Sequence, residues 1–429
     1  MKKIRLIFLG ILMLPLVAPA QLKVDQDRLE QLIFDLAKFG LQDNGETERV
    51  AFSDADIAAR EWVIEEMKKM NLETKIDFAG NIIGTRKGTD ANMKPIAFGS
   101  HIDRVPNGGN YDGCVGAMAA LEVMLSLNEK NISTRHPLEV IIFSNEEGGV
   151  MGSRAMAGHL GKNALSVVNS TGFSMGEGII RLGGDTTKLK QVQRMPGEIA
   201  AFLELHIEQG GILDRENLDI GIVEGIVGLK WWNVTFTGFA NHAGTTPMNL
   251  RQDALLTAAK FIVAVNELTN SMDGKQVGTV GRIKAFPGAP NVIPGKVVTS
   301  LEIRDLSSEV ITNLFDKIRQ KGEEIAKAAN VGISFELLDT TADPALTDIA
   351  IQQQIAKTSA KLGLSIKKMQ SGAGHDAQDI ALIAPTGMIF VPSKDGISHS
   401  PKEFTTAEDM ANGTNVLLNT ILELDKKLN

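Results

Sequence analysis

Two short apolar runs constrain this chain more than anything else in it. Ile96-Ala97-Phe98-Gly99 leads into His101, and Leu138-Glu139-Val140-Ile141-Ile142-Phe143 leads into Glu146 and Glu147. Between them, Val115 to Leu127 is rich in Ala, Met and Leu and predicts a helix. Apolar strands alternating with helices imply an α/β layer with a mainly buried sheet. Both runs end in polar clusters, and ligands of such sheets bind beyond the carboxyl ends of the strands.

The rest of the chain divides by texture. Residues 24–72 read as helical, with Leu29, Leu32, Ile33 and Leu36 at helical spacing. From about Gly228 the pattern changes. Trp232, Val234 and Phe236 alternate with polar residues, as in a half-buried strand. Arg251 to Leu268 predicts an amphipathic helix. Gln276–Ala285 and Lys296–Arg304 predict strands, Val310, Leu314, Ile318 and Ile325 a second helix, and Val331–Leu338 a last strand. That order is βαββαβ, the ferredoxin-like arrangement. The expected organisation is an α/β domain over 21–227 and 341–429, interrupted by an inserted domain over 228–340.

Residues 1–20 carry a separate message. Lys2, Lys3 and Arg5 precede an apolar stretch from Leu6 to Val17, and Ala18-Pro19-Ala20 supplies small residues at a cleavage position. A membrane anchor is the alternative, but the run is shorter than the ~20 residues a span needs, and Pro15 interrupts it. The expectation is an exported protein, periplasmic or secreted, with no membrane attachment after cleavage near Ala20.

Composition narrows the chemistry. A single Cys excludes an internal disulfide, a Cys-rich zinc finger and an iron–sulfur site, so any metal must be held by His and carboxylates. A formal charge of −8 argues against general nucleic-acid binding. His101-Ile102-Asp103 is followed by Gly108-Gly109-Asn110-Tyr111-Asp112-Gly113, where glycines let the backbone bring Asp112 beside His101. Asp103 is placed to hydrogen-bond the imidazole from behind. Adjacent Glu146 and Glu147 are costly together unless a cation compensates them; one can bind metal while the other takes a proton from water. Alone, the pair reads more readily as a solvated acidic turn, since such residues are mostly exposed. His206 in LHIEQGG and His399 in GISHSP each follow apolar runs, and a lone His in either place is more often structural. Together His101, Asp112, Glu147, His206 and His399 are five donors of the right type, enough for two metals sharing Asp112.

The motifs GSHIDRVPNGGNYDG, NEEGG, GSRAMAG, ELHIEQG, NHAGTTPM, NVIPGKV, SGAGHDAQ and GISHSP, in this order over nearly the whole chain, resemble the zinc-dependent N-carbamoyl-L-amino acid hydrolases, β-ureidopropionases and allantoate amidohydrolases. These lie within the di-metal aminoacylase and carboxypeptidase-like peptidase superfamily. The resemblance implies a three-layer α/β hydrolase domain and an inserted domain that joins a homodimer. It implies one divalent metal on His101, Asp112 and His206, and another on Asp112, Glu147 and His399, with zinc ahead of manganese or cobalt. Glu146 is implied as the general base, and His242, reaching in from a partner subunit, as the oxyanion stabiliser. Gln209, Asn291 and Arg304 match positions that hold the small-molecule substrate's ureido or carboxylate group. Arg304 offers a planar fork for a carboxylate; its alternative reading is a rim ion pair with a neighbour such as Glu302.

One departure stands out. Glu147-Gly148-Gly149-Val150-Met151-Gly152 runs straight into Ser153-Arg154, shorter than the family pattern and without its Arg-Phe. This leaves the exact substrate open among a carbamoyl amino acid, allantoate and, in the wider superfamily, a dipeptide or N-acyl amino acid. A non-enzymatic binding protein is disfavoured because it needs no base at Glu146. His136 reads as structural, His159 as surface, and His375 as a pocket or loop-bracing residue. Cys114 reads as a packed residue at a helix start whose thiol is the site to watch for oxidation.

Overall fold

The computed structural model describes residues 21–42, 47–338 and 342–428. The expected export segment lies outside them, as does the expected boundary at 340/341. The helical stretch over 24–72 is two helices, Gln26–Ala37 and Asp54–Lys69, each opened by a side-chain cap, from Asp25 and Ser53. Strands then follow as β1 (Glu73–Ile76), β2 (Ile82–Arg86), β3 (Ile96–His101), β4 (Leu138–Phe143), β5 (Ala201–Ile207) and β6 (Ile220–Ile226). Next come β7 (Gly228–Thr237), β8 (Asn241–His242), β9 (Val277–Thr279), β10 (Ile283–Phe286), β11 (Val292–Ile293), β12 (Lys296–Asp305) and β13 (Gly332–Leu337). The last three are β14 (Ala345–Leu346), β15 (Ile366–Ser371) and β16 (Thr386–Val391).

Nine strands build the central sheet, in the order β1-β2-β4-β3-β5-β16-β6-β14, with β15 also paired to β6. Its middle is four adjacent parallel strands, β4, β3, β5 and β16. Both faces are covered. Phe98, Val140 and Leu203 pack beneath helices Gln26–Ala37, Cys114–Glu129 and Ala407–Lys427. Ala97, Ile141, Phe202 and Phe390 pack on the other face with the short helices Met151–Met156 and Asp376–Ile380. Burial on both faces is why β3 and β4 read as continuous apolar runs and not as alternating ones. The expected three-layer α/β arrangement is present.

A second sheet holds β10-β12-β7-β13, with β9 on β12. One face is buried by helices Ala254–Ser271 and Ser308–Ala328, through Trp232, Phe236, Phe261, Leu301 and Leu314. Trp232 stacks on Phe315 with ring centroids 4.2 Å apart. The strand expected over 276–285 is broken into β9 and β10. At the break, Ser300 Oγ accepts from the Gly281 N–H, and the ladder resumes from the Arg282 carbonyl. A glycine at such a break is a common cause of an interrupted strand.

Candidate metal centre

Because β4, β3, β5 and β16 run parallel, their carboxyl ends lie side by side. His101 is the last residue of β3, His206 the penultimate residue of β5, and Glu146 and Glu147 follow β4 by three and four residues. Asp112 precedes helix Cys114–Glu129, and His399 sits on the loop after β16. The ligand atoms of His101, Asp112 and His206 all lie within 4.8 Å of one another, as do those of Asp112, Glu147 and His399.

The carboxylate of Asp112 is divided between the two groups. Its Oδ1 is 3.2 Å from His206 Nε2 and 3.8 Å from His101 Nε2, while Oδ2 is 3.2 Å from His399 Nε2. His399 Nε2 is also 3.5 Å from Glu147 Oε2. Donors bound at 2.0–2.1 Å around a tetrahedral ion lie about 3.3 Å apart, close to the spacing of these atoms. The ring orientations agree. Nδ1 of His101 donates to the Asp103 carbonyl at 3.1 Å and Nδ1 of His206 to the Ile207 carbonyl at 2.9 Å. A carbonyl can only accept, so Nδ1 carries a proton and Nε2 is the ring atom turned to the cluster, where it can serve as a metal ligand.

Charge makes the same demand for a cation. Asp112, Glu146 and Glu147 are all largely withdrawn from solvent. The only basic side chains in contact with them, among the described residues, are His101, His206 and His399. Burial raises the Glu146 carboxyl well above the usual range, with Asp376, Glu147 and Asp103 adding to the rise against the pull of His101. Burial pushes Glu147 up to about 7, with the Asp112 charge adding. Burial opposes ionisation of Asp112 too, but hydrogen bonds with His206 and His399 outweigh it and hold that carboxyl well below its ordinary value. Three imidazoles and three largely buried carboxylates gathered in this geometry fit divalent metal.

Several supports were invisible in the sequence. Glu403 is buried and ties the two loops together: Oε1 accepts from the Tyr111 and Asp112 N–H groups at 2.9 and 3.0 Å, and Oε2 from Ser398 Oγ and the His399 N–H at 2.9 and 3.2 Å. A Cβ at Gly109 would lie 2.2 Å from Glu403 Oε1, so that glycine serves close approach. Glu204 accepts from Ser100 Oγ and the Ala377 N–H beneath His206. Asp103 departs from expectation. Its carboxylate is 3.6 Å from His101 Nδ1 and instead accepts from the Glu146 and Glu147 N–H groups at 3.2 Å. It therefore positions the paired carboxylates, and the carbonyl of the same residue orients the imidazole.

Gly113 has φ +63 and a Cβ there would lie 2.3 Å from His101 Nε2. Gly113→Ala is therefore expected to weaken metal binding by about 10–100-fold, measured by competition with a chromogenic chelator.

A cavity of about 730 Å³ opens over the cluster, lined by Glu146, Gln209, Arg304 and His375 among others. Gln209, with φ +55, donates from Nε2 to Asp112 Oδ2 at 2.7 Å. Arg304 does pair with Glu302, at 2.8 Å, yet its Nη1 also donates to the Gly372 carbonyl at 2.6 Å at the cavity wall. His375 is buried, packs against His206 with ring centroids 4.4 Å apart, and shares a 2.8 Å hydrogen bond with Ser371 Oγ. It both lines the cavity and braces its loop. His136 is buried against the Lys94 carbonyl, a structural place. His159 is exposed on the cavity's outer wall. Cys114 is fully buried under Arg49 at the start of its helix, packed as expected, and this burial shields its thiol from oxidants. His242 and Asn291 are not brought to this cavity. They sit together on the exposed β8–β11 pair, where the Ala243 N–H donates to the Asn291 carbonyl at 2.9 Å.

Residues 97–423 match the family described as Peptidase family M20/M25/M40. The chain is 41% identical over 406 residues to an N-carbamoyl-L-amino acid amidohydrolase of Geobacillus stearothermophilus, covering 94% of this chain and 99% of that protein. It is 33% identical to the allantoate amidohydrolase of Bacillus subtilis, covering 91% and 95%. Among solved structures, it superposes on an amidase of the hydantoinase/carbamoylase family from Burkholderia multivorans with a TM-score of 0.87 and 35% identity, covering 94% of this chain and 98% of that one.

Proposed function

The chain belongs to peptidase family M20/M25/M40, and from that premise we propose that it is a metal-dependent amidohydrolase. Its reaction is hydrolysis of the carbamoyl C–N bond of N-carbamoyl-L-amino acids or related ureido acids. The observation that carries this reading is the split of the Asp112 oxygens between two His/carboxylate groups, with Glu146 beside them and outside both. Two divalent ions fit, each with three protein donors, and zinc suits such nitrogen and carboxylate donors best. When bound, the metal polarises the ureido carbonyl and lowers the pKa of water to near neutrality.

The residues supply the rest. Glu146, kept basic enough by burial, takes the proton of the attacking water and delivers it to the leaving nitrogen. Asp103 fixes the backbone of Glu146 through its N–H, so the carboxyl is aimed before substrate arrives. Arg304 lines the cavity wall with its guanidinium held by Glu302 and the Gly372 carbonyl, and it receives the substrate carboxylate by exchanging one of these partners for it, while Gln209 offers its amide to the ureido group. His242 supplies the donor that meets the developing oxyanion. A second reading, allantoate as substrate, is favoured by the likeness to the Bacillus subtilis protein. The deciding experiment measures ammonia release from N-carbamoyl-L-amino acids and allantoate beside dipeptide hydrolysis, with metal-loaded protein. Hydrolysis of dipeptides alone would sink the proposal.

We place His242 and Asn291 in the partner's cavity, in a homodimer joined through 228–340. In support, both are exposed and absent from the cavity of their own chain. Their surroundings are apolar: Phe239, Met248 and Leu250 are 64%, 72% and 69% exposed. The prediction is complementation. Glu146→Gln and His242→Ala subunits, each inactive alone, should recover about a quarter of wild-type activity when mixed, because half the dimers are hybrids with one intact site. No recovery after subunit exchange would show that His242 does not act across subunits. Residues 21–227 and 341–429 form the catalytic unit in this proposal, and residues 1–20 direct export to the periplasm or outside the cell. Among the described residues, no helix is long and apolar enough to cross a membrane.

A further inference from the structure

Part of the cavity wall is made by two short helices that pack together, Met151–Met156 and Asp376–Ile380. Arg154 comes from the first and Asp379 from the second, and both line the cavity. The turn before Arg154 is unusually tight. The Gly149 and Val150 N–H groups both donate to the Glu146 carbonyl, at 2.9 and 2.7 Å, and Val150 lies in the left-handed region at φ +49. A β-branched residue there is strained, and such strain is retained where local geometry matters. The tight turn after Glu147 thus leads directly into the helix that carries Arg154 to the cavity.

Arg154 and Asp379 are not satisfied by the protein. Among the described residues neither side chain forms an ion pair or a hydrogen bond. They do sense one another: burial pushes Asp379 up to about 6, and the Arg154 charge pulls against that rise. With the ureido group over the metal cluster and the carboxylate at Arg304, this wall is left for the substrate's side chain.

We propose that Arg154 and Asp379 form the subsite that reads the substrate side chain, and that it selects side chains ending in a neutral primary amide or a second ureido group. The inference rests on the ureido hydrolase reading above. A purely apolar side chain would desolvate both charges without pairing either. A carboxylate would meet Asp379 and an ammonium would meet Arg154, each a like charge. An amide or ureide gives its N–H to Asp379 and its carbonyl to Arg154, satisfying both.

The test compares N-carbamoyl-L-glutamine with its apolar isostere N-carbamoyl-L-homoleucine, and with the glutamate and lysine derivatives. The wild-type metal-loaded protein should prefer glutamine over homoleucine by about tenfold or more in kcat/KM, with both charged substrates below glutamine. Arg154→Met combined with Asp379→Leu should bring the glutamine-to-homoleucine ratio close to one. A merely structural role would lower both substrates together and leave the ratio unmoved, which would overturn the proposal, as would homoleucine or glutamate being preferred by the wild type. Calorimetric binding of the same ligands to metal-loaded Glu146→Gln asks the question without turnover. If no ureido substrate releases ammonia, the reaction assignment fails, while the order of affinities still decides the subsite.

Discussion

Glu146→Gln is expected to lower kcat for ureido hydrolysis by about 10²–10⁴-fold while the protein keeps its full complement of metal. Glutamine preserves the shape of the side chain and its backbone stays on Asp103, since the N–H donated at 3.2 Å is unchanged by the substitution. What is lost is a group that can accept a proton and return it. Glu146 is not among the donors that cluster around Asp112 in either triad, so metal affinity has no reason to fall. KM should change little, because the ureido group and carboxylate are held elsewhere. Ammonia release alongside elemental analysis of the purified variant measures both quantities. A variant with normal kcat, or one that has shed its metal, would remove Glu146 from the role of general base.

Asp112→Ala has the largest expected effect on the centre itself. One side chain serves both triads, so both should be lost together, and turnover should drop by more than about a thousandfold. The stability signature is distinctive. In the metal-free protein the Asp112 charge helps to push Glu147 up, so removing it relieves repulsion among buried carboxylates. Against that relief, His206 and His399 hold the Asp112 carboxyl well below its ordinary value, so its ionised form stabilises the metal-free fold at neutral pH and the metal-free variant should melt below metal-free wild type. Adding zinc should raise the wild-type Tm and leave that of the variant where it was. Thermal unfolding with and without metal decides this; an equal rise in both would show that Asp112 does not bridge.

How much of the molecule was written in the sequence follows from how each residue acts. β3 and β4 were legible because burial on both faces leaves an unbroken apolar run. The five donors were legible because His is scarce in this chain and each donor follows such a run or a glycine-rich turn. Arg304 was legible in part: its alternation with Ile303 and Asp305 placed it on the open face of β12, but its reach to Gly372 joins elements far apart in sequence. Glu403 was not legible. It acts on backbone N–H groups 291 and 292 residues away, and a carboxylate that accepts from backbone imposes no pattern on the residues it holds. Asp103 misled for a simple reason. The same-face rule for residues two apart holds within a strand, and β3 ends at His101. Gln209 and His399 sit at left-handed φ, a property of loop geometry that side-chain type does not announce.

The most direct measurement is ammonia release from an N-carbamoyl-L-amino acid followed against metal bound per chain, starting from chelated protein and restoring zinc stepwise. The expected result is no turnover without metal, and a rise to full rate as the two triads around Asp112 fill. Full turnover by protein that elemental analysis shows to be free of metal would contradict a metal-dependent reaction at this centre.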